Sequence, residues 1–174
     1  MIRGTTSTWL WVTAAFLLLI FSGCTSHGKV LTTVILVRHA DRTGDQDRLS
    51  PEGEIRVEEL QRVLEEVNID AIYSTDYLRT RATVEPLASA RNLQIQLYDS
   101  GDLMPFANRI SLEHRGETIL VSGHSNTTPQ LINALGVEPT LPDLNSVAYD
   151  RLFIVTLMQG ASPRLLTLQF GADT

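Results

Sequence analysis

The chain has 174 residues, 43% of them hydrophobic, with a formal net charge of −6 and a single cysteine. That length and apolar share suit one globular domain with its own core, and an acidic balance without a basic run argues against a nucleic-acid partner. One cysteine excludes an intrachain disulfide, so stability has to come from packing.

Met1-Ile2-Arg3 is a short basic start, and Trp9 to Phe21 is an almost unbroken apolar run. At about 13 residues the run falls short of the roughly 20 that a spanning helix needs, and it fits the apolar region of an export signal. Phe21-Ser22-Gly23-Cys24 follows, placing small residues before the unique cysteine. This resembles the bacterial lipobox, with Phe21 where leucine is commonest. The resemblance implies cleavage after Gly23, a lipid on Cys24 and attachment to a membrane outside the cytoplasm, periplasm-facing or at the cell surface. An ordinary cleaved signal and an uncleaved anchor are the alternatives. Boundaries follow as signal 1–23, tether 24–30 and domain 31–174. Removing 1–23 takes away only Arg3 among the charged residues, leaving the remainder one unit more acidic. Trp9 and Trp11 belong to the signal, and His27 to the solvated tether.

Within the domain, Leu31 to Val37 is continuously apolar, as a buried parallel strand should be. Arg38 to Leu49 is a polar loop. Ser50-Pro51 reads as an N-cap followed by proline at the first helical position, and Val57, Leu60, Leu64 and Val67 form the stripe of that helix. Asp70 to Ser74 gives a second strand and Asp76 to Ala90 a second helix, which Pro86 is expected to kink or shorten. Leu93 to Leu97 alternates as a less buried strand. A helix spans about Leu103 to His114, with His114 expected in solvent near its end, and Glu117 to Val121 gives a fourth strand. Thr128-Pro129 starts a helix that stops at Gly136. Ala148 to Met158 and Arg164 to Phe170 read as two strands around Gly160-Ala161-Ser162-Pro163. The alternation predicts a three-layer α/β/α fold with a mostly parallel central sheet and a C-terminal antiparallel hairpin.

The first strand ends in Arg38-His39-Ala40-Asp41-Arg42, which sets a histidine between two arginines at the carboxyl edge of the sheet, where open α/β folds bind ligands. Arginine forks match phosphate oxygens, and a histidine between them is a candidate nucleophile at phosphorus. The fourth strand ends in Val121-Ser122-Gly123-His124-Ser125, so both histidines can meet at one anion. Arg79 lies one turn into a helix that follows a strand. It is either a third cation of that pocket or one more exposed helix charge. Arg42 either contacts phosphate or pairs with Asp41 or Asp45. The aspartates of the 41–47 loop read as a solvated loop, without a spacing that fits a metal site.

Taken together, these segments resemble the histidine phosphatase superfamily, which includes the phosphoglycerate mutase-like proteins. Arg38-His39 with Arg42 is similar to its first signature. Tyr73-Ser74-Thr75-Asp76-Tyr77-Leu78-Arg79, running on to Ala88, is similar to its second, and Gly123-His124-Ser125-Asn126 to its third. Leu49-Ser50-Pro51-Glu52-Gly53 also matches, and the similarity spans about Thr32 to Leu135 in order. The resemblance implies that His39 becomes a phosphohistidine, that Arg38, Arg79 and His124 line the phosphate pocket, and that Arg42 is a further contact. Three arginines and a protonated His124 would steady the transferring phosphoryl group without a metal or other cofactor. His39 has to attack as the neutral imidazole, so its other ring nitrogen needs an acceptor.

The family's proton donor is usually a glutamate just after the third strand. Here Asp99 takes the matching position in Leu97-Tyr98-Asp99-Ser100-Gly101-Asp102, Asp102 is the fallback, and some compact members manage without a dedicated acid. As the acid, either aspartate would need a pKa raised well above roughly 3.9. The reading is a lipid-anchored phosphomonoester hydrolase with a small phosphorylated substrate. The alternatives are a non-catalytic phosphate-ligand-binding lipoprotein, a protein-phosphohistidine phosphatase and a phosphoglycerate mutase-type phosphotransferase. Substrate identity and oligomeric state are not written in the sequence.

Overall fold

The computed structural model describes Met1 and residues 30–173. The signal segment, Cys24, His27 and the tether up to residue 29 lie outside the described residues. Strand β1 (Leu31–Arg38) forms where the apolar run predicts it, with Val34 to Val37 essentially closed to solvent. The chain then gives α1 (Pro51–Val63), β2 (Ala71–Ser74), α2 (Leu78–Arg91), β3 (Ile95–Leu97), α3 (Leu103–Glu113), β4 (Thr118–Gly123), α4 (Thr127–Ala134), β5 (Arg151–Met158) and β6 (Arg164–Gln169). The six strands form one sheet in the order β3-β2-β4-β1-β5-β6. Pairing is parallel from β3 through β1, and β5 runs antiparallel to both its neighbours.

Period-two alternation along β1 divides the core between the two faces of the sheet. Val34 and Leu36 pack with Ile119, Val121, Phe106, Ile110, Leu131 and Ile132, on the side of α3 and α4. Ile35 and Val37 pack with Leu60, Ile72, Val84, Leu87 and Leu120, on the side of α1 and α2. Three layers result, as the alternation of elements predicts.

Several local expectations change in the folded chain. Helix α2 runs through Pro86 to Arg91, where Asn92 closes it in the left-handed conformation. Proline inside a helix costs about 3 kcal/mol. Burying Val84 and Leu87, each nearly solvent-free, contributes about 1.5–3 kcal/mol per side chain, enough to hold the segment helical. Strand β5 starts at Arg151 rather than Ala148, because the carbonyls of Asn145, Ser146 and Ala148 turn toward the Arg38 guanidinium instead of joining the ladder. Helix α4 starts at Thr127, one residue earlier than the Thr128-Pro129 signal. His114 is buried rather than solvated: Nε2 lies 2.8 Å from the Tyr73 hydroxyl and Nδ1 2.6 Å from the Glu117 carboxylate.

Candidate active site

Parallel pairing aligns three strand ends. Arg38 stands opposite Gly123, and Ser74 opposite Ser122, so His39, Thr75 and His124 leave the sheet side by side. The His39 amide donates to the Gly123 carbonyl at 2.9 Å and continues the β1–β4 ladder one residue past the strands. Glycine is required at 123, since a Cβ there would sit about 2.9–3.0 Å from the hydroxyls of Thr128, Tyr98 and Thr127. Residues Arg38, His39, Arg42, Tyr77, Arg79, Ser100, Gly101 and His124 line one cavity of about 380 Å³, closed by Ser125, Asn126 and Thr127 ahead of α4.

His39 is 3% exposed. Its Nδ1 lies 2.8 Å from the carbonyl of Ala40. A carbonyl only accepts, so Nδ1 carries the proton and Nε2 keeps its lone pair. Burial, with the charges of Arg38 and Arg79, pushes the imidazole down to about 3, against the pull of the Ala40 bond. The neutral nucleophile that the sequence calls for is therefore the resting form.

The arginines are held in place by different elements. Arg38 donates through Nη1 to Asn145, Ser146 and Ala148 at 2.9–3.4 Å and lies over the Tyr149 ring at 3.8 Å. Arg79 reaches Asp47 through Nη1 at 2.8 Å and His124 through Nη2 at 3.3 Å, and lies over Tyr77 at 4.5 Å. In both, Nε is buried without a partner among the described residues. Arg42 lines the cavity and also meets Asp45 at 3.1 Å, so both readings of this residue describe part of its surroundings.

His124 stands 5.5 Å from His39 between ring centroids, tilted by 68°. It differs from the protonated partner expected from the sequence. Burial, then the charges of Arg79 and Arg38, lower it to about 4, opposed by Asp47. Arg79 donates to Nδ1, which a protonated nitrogen would not accept. His124 is thus neutral in the open site.

Asp99 and Asp102 are not brought into this cavity. Asp99 accepts from the Gly101 amide at 2.8 Å, and both carboxylates line a neighbouring cleft with Pro105, Phe106 and Arg109. Ser100 and Gly101, between them, face His39 instead. The turn sends the central pair Ser100-Gly101 to one side and the flanking Asp99 and Asp102 to the other, which position in the sequence does not reveal. The 41–47 loop is also not merely solvated. Asp41 pairs with buried Arg56 at 2.6 Å, and Asp47 accepts from the Leu78 and Arg79 amides at 2.9 and 3.2 Å. Burial opposes ionisation of Asp47, but these amide bonds and the Arg79 guanidinium outweigh it and hold its pKa below the usual carboxylate value. Asp47, Thr75, Tyr77 and Tyr149 escape the sequence reading. Thr75 and Tyr77 lie inside the second motif, whereas Asp47 and Tyr149 carry no local signal.

The histidine phosphatase superfamily (branch 1) sequence model matches residues 34–100. No curated protein matches the chain. Solved structures share the fold at low identity. The alpha-ribazole phosphatase from Shigella flexneri superposes with a TM-score of 0.63 at 15% identity, over 82% of this chain and 100% of that one. A mycobacterial glucosyl-3-phosphoglycerate phosphatase gives 0.62 at 14%, over 82% and 100%. The protein histidine phosphatase SixA, complexed with tungstate, gives 0.61 at 18%, over 79% and 96%. Sequence and fold point the same way: residues 34–100 match the histidine phosphatase superfamily model, and the chain shares its fold with these solved phosphatases.

Proposed function

We propose that this protein is a phosphomonoester hydrolase that works through a covalent phosphohistidine on His39. The observation that carries the reading is the resting state of His39: Nδ1–H is tied to the Ala40 carbonyl, and Nε2 holds a lone pair inside a cavity lined by three arginines. In the first half-reaction Nε2 attacks phosphorus, the bond to the leaving oxygen breaks, and the arginines bear the charge on the equatorial oxygens. A monoanionic phosphomonoester brings the proton that its leaving oxygen requires, and His124 stands beside it with an unprotonated nitrogen to relay that proton. Water then cleaves the N–P bond, releasing inorganic phosphate and restoring neutral His39. Charge stabilisation comes from the guanidinium groups, and no metal step is invoked. The substrate is a small phosphorylated compound met outside the cytoplasm, with the protein held at a membrane through Cys24; this location rests on Phe21-Ser22-Gly23-Cys24.

Hydrolysis of a para-nitrophenyl phosphate probe should persist in chelator and vanish in His39→Ala, and a phosphorylated His39 should be trapped in the wild type. Absence of turnover on a broad phosphoester panel, with phosphate still bound, would leave a binding protein instead. One observation favours a second substrate type. No carboxylate lines the cavity among the described residues, and a phosphorylated imidazole leaves without a protein acid. Faster turnover of a phosphohistidine peptide than of any phosphoester would select that substrate.

A further inference from the structure

We infer that Thr75, backed by Thr80, is a positioning residue that fixes the tautomer and ring orientation of His124, so that Nδ1 is the nitrogen presented to the phosphoryl group. Thr80 Oγ1 lies 3.0 Å from the Thr75 carbonyl and 2.9 Å from the Tyr77 carbonyl. Neither carbonyl brings a proton, so the single hydroxyl proton of Thr80 goes to one of them. Thr80 Oγ1 is then an acceptor toward Thr75 Oγ1, 2.9 Å away, and takes the Thr75 proton. With that proton committed, Thr75 Oγ1 faces His124 Nε2 at 3.0 Å only as an acceptor. Nε2 must carry hydrogen, and in the neutral ring the lone pair falls on Nδ1, where Arg79 Nη2 meets it at 3.3 Å.

Burial makes this assignment rigid. Thr75 is 1% exposed and Thr80 fully buried, so solvent does not compete for either hydroxyl. Tyr77 stands edge-on to the His124 ring at 4.9 Å and 87°, and the contacts to Thr75 and Arg79 hold the ring at its two nitrogens. Nε2 is turned inward, leaving Nδ1 for Arg79 and the cavity. An imidazole whose far nitrogen is pinned by a hydrogen-bonded partner has a defined task for the near one. Here the task is to take up the proton delivered with the substrate and to return it to the leaving oxygen.

The kinetic part of this inference rests on the proposed phosphohydrolase chemistry, and the spectroscopic part does not. In full-length protein labelled with 15N-histidine, His124 is expected to show a protonated Nε2 and an unprotonated Nδ1 at neutral pH. Thr80→Val leaves the Thr75 proton free to turn toward Nε2, so the Nδ1–H tautomer should appear. Thr75→Val should mix the tautomers, and Thr75→Ser should restore the wild-type pattern. On para-nitrophenyl phosphate, Thr75→Val is expected to lower kcat by about 10–100-fold, the order seen when the hydrogen-bonded partner that orients a metal-ligating histidine is removed, with recovery in Thr75→Ser. Should Thr75→Val fail to fold, the Thr80→Val and Thr75→Ser spectra carry the test. A resting Nδ1–H tautomer in the wild type, or an unchanged tautomer in folded Thr75→Val or Thr80→Val, overturns the inference. A moved tautomer in a protein that hydrolyses nothing would overturn the proposed function and leave this assignment standing.

Discussion

At the scale of single residues, the site works by deciding where protons are not. Two imidazoles lie 5.5 Å apart among three guanidinium groups, and burial among those charges keeps both neutral. In the proposed reaction His39 needs no base to free Nε2, because the Ala40 carbonyl has already placed the ring proton on the far side. The same accounting bears on the leaving group. A carboxylic acid acting on it would have to line the His39 cavity, yet Asp99 is engaged with the Gly101 amide and faces the cleft beside Arg109. Asp99→Asn keeps that turn's acceptor. It should leave turnover unchanged for good and poor leaving groups alike, as measured across a series of aryl and alkyl phosphates. A loss confined to poor leaving groups would return the acid role to Asp99.

At the scale of elements, the loop after β1 is held against α1 and the C-terminal segment by one arginine. Arg56, on α1, bonds Asp41 at 2.6 Å and reaches the carbonyls of Phe170 and Ala172 at 3.1 and 3.0 Å. One turn earlier, Gly53 admits the Asp41 backbone so closely that a Cβ at 53 would run into its carbonyl. Ser50, the N-cap of α1, donates its amide to the same carbonyl at 2.9 Å, so helix start and site loop are fixed together. Asp41, which the sequence leaves without a role, is thus the joint between the loop after β1 and the rest of the fold. Removing one partner of a buried pair strands the other charge, at a cost of about 3–5 kcal/mol. Arg56→Met should therefore lower stability by that order in chemical denaturation. It should also lower activity even where folding is complete, since Asp41 lies two residues after His39 and directly before Arg42. A variant as stable as the wild type would show that the loop is held by other means.

At the scale of the whole molecule, the depressed histidines tie stability to pH. For His39 the folded-state pKa is about 3 and the reference value 6.5, so between these values the unfolded chain binds more protons than the folded one. Stability is then present in full above about 6.5 and is lost as pH falls, by up to about 1.4 kcal/mol per pH unit from this residue alone. His124 adds to the slope between 6.5 and about 4. Thermal melts from pH 7 to pH 4 should show a falling midpoint, and His39→Asn should flatten that fall. A midpoint independent of pH in the wild type would mean that the histidines are not held neutral. Much of this molecule is legible in the one-dimensional chain. Strand periodicity predicts the layers, and the strand-end residues Arg38, His39 and His124, with Arg79 in the first turn of α2, name the pocket, because hydrophobic alternation and side-chain chemistry are local properties. Pro86 misleads, because its cost is local while the burial that outweighs it is tertiary. Asp99 is misplaced for a related reason: a turn's direction depends on what it packs against. The sequence by itself determines which groups are available for phosphoryl chemistry and in what order the strands deliver them. Only the tertiary structure decides their protonation and orientation. Those depend on burial and on partners distant in sequence, such as Asp47 for Arg79, Tyr149 for Arg38 and Thr75 for His124.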